Sequence, residues 1–277
     1  MIAHIQSTEE AMKNNKCDYY IILACKKQGD DQVGIFHFPA LFQGIYRKNK
    51  EKWIYLIASS DELPNEELLS KAKCLIIPGS DLSVYNEYDF LRKTEKFLFS
   101  LINDILFNNK YPQLKLLGIC FGMEIFISAI GGKISHMGKG VFERFPADIN
   151  IKEDFWNFNF VKKSGVTKVK SMRLNEAHSD YIDTIPEKYG FVHMGDSEKC
   201  KTELLVHPSE RIFMIQGHPE YYPPFNYNRF APIFLKHMKK EDTDENVEKF
   251  INHDLGNAIS QNVNIHQWRS ICYSFMK

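Results

Sequence analysis

Short apolar runs alternate with amphipathic ones along the first half of the chain. Tyr19 to Ala24 (YYIILA), Trp53 to Ala58 (WIYLIA), Cys74 to Ile77 (CLII) and Leu114 to Ile119 (LKLLGI) each end in a polar or glycine-containing turn, the pattern of buried strands. Between them, Asn65 to Lys71 follows Pro64 as a short helix. Glu87 to Phe107 places Phe90, Leu91, Phe97, Leu98, Leu101, Ile102 and Ile105 at three- and four-residue spacing, which predicts a long amphipathic helix. Strand and helix in alternation predict a parallel sheet with crossover helices.

The second half changes character. Phe142 to Lys170 alternates aromatic, charged and β-branched residues, and Glu203 to His207 and Arg211 to Gln216 read as two strands about a turn at Pro208–Ser209. These predict strands added to the same sheet. Lys239 to Glu248 (KKEDTDENVE) reads as a solvated charged stretch, and the segment through Trp268, Ile271, Cys272 and Phe275 as an amphipathic helix that docks. No repeat or linker divides the chain, so the expectation is an N-terminal extension over 1–18 and one domain over 19–277.

Composition narrows the classes of partner. Thirty-five basic and thirty-five acidic residues cancel, so no global charge points to nucleic acid or an anionic membrane. Neither a leader nor a membrane-spanning run is expected, and the reading is a cytoplasmic protein acting on a small molecule. The six cysteines (17, 25, 74, 120, 200 and 272) form no C-x-x-C pair, which argues for reduced thiols and against a disulfide framework or a zinc site. No cofactor and no metal are expected.

One cysteine stands in a distinctive context. In the string L-K-L-L-G-I-C-F-G-M-E, Cys120 lies between Gly118 and Gly122, after an apolar strand and before an apolar helix that stops at Gly131 and Gly132. Most cysteines in such chains are inert core thiols. Here glycines two residues to either side remove the β-carbons that would collide in a tight strand-to-helix elbow, the steric logic of the G-x-S-x-G nucleophile turn. A thiol at a helix N-terminus also faces unpaired N–H groups and the positive end of the helix dipole, which favour the thiolate. The backbone N–H of Phe121 is a candidate oxyanion donor, with a second sought in the loop Pro78-Gly79-Ser80.

A thiol nucleophile needs a base and a group to orient it. The string I-Q-G-H-P-E at 215–220 supplies both, because Pro219 forces His218 into extended backbone, where residues i and i+2 share a side. Glu220 is then within reach of His218. His207 also precedes a proline, but it lacks the glycine and the paired carboxylate and reads as a turn residue.

Taken together, P-G-S at 78–80, G-I-C-F-G at 118–122 and Q-G-H-P-E at 216–220 resemble the triad-type class I glutamine amidotransferases. The likeness runs from Tyr19 to the end. It includes A-H-S-D at 177–180, similar to a loop beside the family's site, and W-R-S-I-C-Y-S-F-M-K at the terminus. It is nearest to stand-alone γ-glutamyl peptidases and GMP-synthase-like amidotransferase domains. The resemblance implies a flavodoxin-like three-layer α/β fold with a central, mostly parallel sheet. It also implies Cys120 as nucleophile, His218 as base, Glu220 as its orienting carboxylate, Gly79 and Phe121 as oxyanion donors, and a γ-glutamyl thioester intermediate. Glu124, His178, Ser179 and Asp180 become candidate substrate contacts.

Two departures bear on substrate. Glu124 stands where the family usually carries glutamine, and its charge one turn from the thiol opposes thiolate formation. The segment 139–145 (KGVFERF) lacks the glycine-tryptophan pattern of the peptidase-like members. Three functions remain open on the sequence: a free-standing γ-glutamyl hydrolase, a glutaminase subunit feeding ammonia to a separate synthase, and a binding or structural protein that kept the fold.

Overall fold

The computed structural model describes residues 18–27, 51–138, 143–220 and 264–277. The readings for the N-terminal extension, for most of 139–145 and for 239–248 therefore lie wholly or largely outside the described residues.

The predicted strands form where their apolar runs lie. They are β1 (Asp18–Ala24), β2 (Glu51–Ile57), β3 (Ala72–Ile77) and β4 (Lys115–Ile119). Helix α1 (Glu66–Lys71) starts at Asn65, whose side chain caps the N–H of Leu68 at 2.9 Å. Helix α2 (Asp89–Leu106) buries Leu91, Leu98, Leu101, Ile102 and Ile105 on one stripe. Helix α3 (Phe121–Ala129) begins immediately after Cys120, and β5 (Lys133–His136) follows the two glycines.

In the second half, β6 (Glu143–Ile151), β7 (Ser171–His178), β9 (Val192–Asp196), β10 (Leu204–Val206) and β11 (Ile212–Ile215) join the main sheet, while β8 (Asp180–Thr184) pairs with β5 in a separate ribbon. The alternation read over Phe142 to Lys170 holds as a strand only to Ile151. Beyond it the apolar cluster of Phe155, Trp156, Phe160 and Val161 turns through a short 3-10 segment into α4 (Asn159–Lys163), burying its side chains against the sheet face instead of alternating across it. The chain ends in α5 (Ile265–Met276). No described helix is long and apolar enough to cross a membrane.

The main sheet runs β2-β1-β3-β4-β11-β10-β9-β6-β7. Its first five strands are mutually parallel, in the flavodoxin-like order, and the rest are antiparallel. Period-two alternation loads both faces. Tyr19, Ile21, Leu23, Leu75, Ile77, Leu116 and Met214 pack under α2 and α3, whereas Tyr20, Ile22, Ile76, Leu117, Phe213 and Ile215 pack under Trp268, Ile271, Cys272 and Phe275 of α5. The three layers follow from strands that are apolar on both sides.

Candidate active site

Three neighbouring parallel strands bring the site together. β3, β4 and β11 run side by side in the same direction, with Ile77 opposite Gly118 and Ile119 opposite Ile215, so their C-terminal ends share one edge. Gly79 lies two residues past β3, Cys120 one past β4 and His218 three past β11. Ligands of open α/β sheets bind beyond such carboxyl ends.

The elbow is as tight as its glycines imply. Cys120 sits at φ 51° and ψ −116°, a conformation that L-residues rarely adopt and that costs of order 1–3 kcal/mol. Its N–H continues the ladder to the Ile215 carbonyl at 2.9 Å, and its carbonyl accepts the N–H of Glu124 at 3.1 Å. A β-carbon on Gly122 would fall on the Ile77 carbonyl, and one on Gly118 would lie 2.8 Å from the Phe126 ring and 2.9 Å from the Met123 nitrogen. The crossing of β4 and α3 beside β3 thus has no room for side chains at these two positions.

Gly79 lies close to both Cys120 and His218. A β-carbon there would stand 2.7 Å from Cε1 of His218 and 3.6 Å from Cβ of Cys120. Its loop is held by Ser80, whose hydroxyl donates to the Cys25 carbonyl at 2.6 Å. His218 is 2% exposed, its Nδ1 is 2.6 Å from Oε1 of Glu220, and its backbone N–H donates to the Asn175 carbonyl at 2.8 Å. Asn175 belongs to β7, four places away in the strand order, so the antiparallel half of the sheet folds back onto this turn.

The thiol's electrostatics run against the sequence expectation. Burial pushes Cys120 well above the ordinary thiol value, the Glu124 charge adds to that, and the Phe121 N–H directed at the sulfur pulls the other way. Burial of Cys120, a residue 5% exposed, thus opposes the thiolate that a helix N-terminus favours. Glu124 is itself pushed up to about 7 by burial and by Asp180, although its Oε1 accepts a hydrogen bond from Nε2 of Gln216 at 2.9 Å.

The other candidate contacts divide. Asp180 accepts the Ser83 hydroxyl at 2.6 Å, interacts with Tyr85 and raises Glu124, so it faces the site. The side chain of His178 faces instead toward Glu143 and Glu176, and the Ser179 carbonyl accepts the Met137 N–H at 2.8 Å.

Two contributors escaped the sequence reading. Arg269 of α5 is 4% exposed and donates from Nε to the Pro219 carbonyl at 2.9 Å and from Nη2 to the Glu220 carbonyl at 3.1 Å, bracing the His218 turn. The available signal was a guanidinium on the buried stripe of Ile265, Trp268 and Cys272. Gln216 stands in the Q-G-H-P-E string, but its pairing with Glu124 gave no signal, because the two are remote in sequence.

Residues 62–236 match the family described as glutamine amidotransferase class-I. A glutamine amidotransferase-like protein of Schizosaccharomyces pombe is 30% identical over 161 residues, 58% of each chain. Gamma-glutamyl peptidase 3 of Arabidopsis thaliana is 24% identical over 239 residues, 86% of this chain and 87% of that one. The GMP synthase [glutamine-hydrolyzing] of Brachyspira hyodysenteriae is 27% identical over 185 residues, 67% of this chain but 31% of its own length. The matched region thus spans little more than half of the yeast relative and under a third of the synthase. A solved glutamine amidotransferase from Thermotoga maritima superposes with a TM-score of 0.60 at 18% identity, covering 93% of this chain and 98% of that one. One from Methylobacillus flagellatus gives 0.63 at 17%, covering 94% of each chain.

Proposed function

The chain belongs to the glutamine amidotransferase class-I family, and on that premise we propose that it is a cysteine-dependent hydrolase of γ-glutamyl amide bonds, in glutamine or in glutathione-like γ-glutamyl peptides. The observation that carries the reading is the convergence of Cys120 and His218 on Gly79, with His218 held by Glu220. In the proposed reaction His218 takes the thiol proton as sulfur attacks the γ-carbonyl. The resulting oxyanion is received by the N–H groups of Phe121 and Gly79. Collapse expels the amine, which leaves with the proton held by His218, and a γ-glutamyl thioester remains on Cys120. Water activated by the same imidazole then releases glutamate and restores the thiol. Because burial keeps the resting sulfur protonated, proton transfer accompanies attack and no standing thiolate is needed. Asp180 is the carboxylate proposed to face the substrate's cationic α-amino group.

A free-standing enzyme is the first reading, supported by alignment over 87% of the length of an Arabidopsis thaliana γ-glutamyl peptidase. A glutaminase subunit serving a separate synthase is the second, supported by the match to about a third of a GMP synthase. The test incubates purified protein with glutathione, a γ-glutamyl anilide and glutamine, seeks the acyl adduct by intact mass, and repeats with Cys120→Ala. Turnover and an adduct that both vanish in the variant are expected. No turnover and no adduct on any substrate would leave the binding-protein reading, and activity only with an added synthase would favour the subunit.

A further inference from the structure

Behind the His218 turn lies a buried cluster that the proposed chemistry does not use. Glu176 and Glu203 are 2% and 0% exposed; the Ser197 hydroxyl interacts with Glu203, and among the described residues neither oxygen of Glu176 has a hydrogen-bond partner. Oε2 of Glu143 is likewise without one, while its Oε1 accepts the Ser197 hydroxyl at 2.8 Å. The electrostatic neighbours of Glu203 are Glu176, His178 and Glu143, three acids around one imidazole. Burial and mutual repulsion push Glu176 and Glu203 well above the usual carboxylate range. Buried acids at this density call for a compensating positive charge or for protons.

His178 indicates which. Its Nδ1 lies 2.8 Å from the Asp180 carbonyl, which can only accept, so Nδ1 carries a proton and Nε2 points into the acids. Nε2 stands 3.4 Å from Oε2 of Glu176 and 3.5 Å from Oε2 of Glu143. These separations exceed the hydrogen-bond range of about 2.7–3.2 Å. Nε2 thus has no hydrogen-bond partner among the described residues although it is buried. A backbone carbonyl holding the far nitrogen is also the usual support of a metal-binding histidine. The ligand atoms of His178, Cys200 and Glu203 all lie within 4.8 Å of one another.

We propose that His178, Cys200 and Glu203 bind a divalent zinc-class ion. Nitrogen, sulfur and carboxylate together select zinc or cobalt over magnesium or calcium. The Cys200 thiol donates to the Thr202 carbonyl at 3.5 Å, and its N–H donates to the Ser197 hydroxyl at 2.9 Å. On binding, the thiol proton passes to solvent and the thiolate turns inward to the ion. The three ligands tie the end of β7 to the segment entering β10. That wall supports the base, because a β-carbon on Gly217 would collide with Oε1 of Glu176. The site does not depend on the proposed hydrolysis and is assayed without it. A C-x-x-C search does not address such a group, because His178 ends β7 while Cys200 and Glu203 lie in the loop before β10.

The test measures metal in the purified chain, strips it with chelator, and titrates the folded apoprotein with zinc and with cobalt(II). The expected result is about one equivalent bound per chain, a thiolate-to-cobalt charge-transfer band, and a melting temperature raised by several degrees. Cys200→Ser should lose the band and Cys120→Ala should keep it, which separates this thiol from the candidate nucleophile. Glu203→Gln should bind weakly. Should Cys200→Ser fail to fold, the wild-type cobalt spectrum decides alone. A folded wild-type chain that takes up less than about a tenth of an equivalent, or a band that persists in Cys200→Ser, overturns the proposal.

Discussion

Gln216 donates its side-chain amide to Oε1 of Glu124 over 2.9 Å, joining the residue two before the candidate base to the first turn of the helix behind the candidate nucleophile. Both side chains are buried, so the proton on Glu124 is sensed by both halves of the site.

Folding raises Glu124 from an ordinary 4.5 to about 7. Between those values the folded chain holds a proton that the unfolded chain has released. The associated stability is full below about pH 4.5, drains as pH rises toward 7, and is absent above it. Glu124→Gln should therefore match wild type in thermal unfolding at pH 5 and exceed it at pH 8, by up to about 3 kcal/mol. Equal curves at both pH values would refute a buried, proton-binding carboxyl.

The same substitution removes a charge that raises Cys120. We expect Glu124→Gln to hydrolyse glutamine faster than wild type, with the gain growing above pH 7, where Glu124 is ionised. Steady-state rates across pH provide the check, and equal or lower rates for the variant would sink the idea.

A methyl group on Gly79 would press on the His218 ring at 2.7 Å. Gly79→Ala should lower kcat by about 100-fold, as a displacement of roughly an ångström does, while circular dichroism stays native. Retention of more than about half the wild-type kcat would show that the ring tolerates the shift.

Arg269 acts through backbone carbonyls and touches no reacting atom, so it is a positioning residue. Its loss should lower kcat with little change in KM. Arg269→Lys should recover part of the rate by reaching one of the two carbonyls. A change confined to KM would contradict that role.

Gly122 and Gly131 separate space from backbone strain. Gly122→Ala drives a β-carbon into the Ile77 carbonyl and should cost more than about 2 kcal/mol. Gly131 is at φ 86° with nothing within 4 Å of its added carbon, so Gly131→Ala should cost only about 1 kcal/mol. Denaturant melts of the two variants give the comparison.

Much of the fold was legible because its signals are local. The runs around Ile21, Ile54, Leu75 and Leu117 are apolar on both faces, Asn65 caps a helix, and Gly118 and Gly122 flank a turn that packs too closely for side chains. The segment after Ile151 was misread because an aromatic-rich stretch serves a strand or a docked turn equally well until the opposing face is known.

The sequence alone singled out the candidate reactive groups and the local turns that present them: Cys120 in its elbow, and His218 with Glu220 two residues on. Only the tertiary structure decided how those groups are charged and braced. Sheet order brings Gly79 close to Cys120 and His218, α5 returns Arg269 to the His218 turn, and burial lifts Cys120 where the dipole had suggested the opposite. Desolvation and long-range pairing depend on what surrounds a residue, and those surroundings exist only once distant segments have packed.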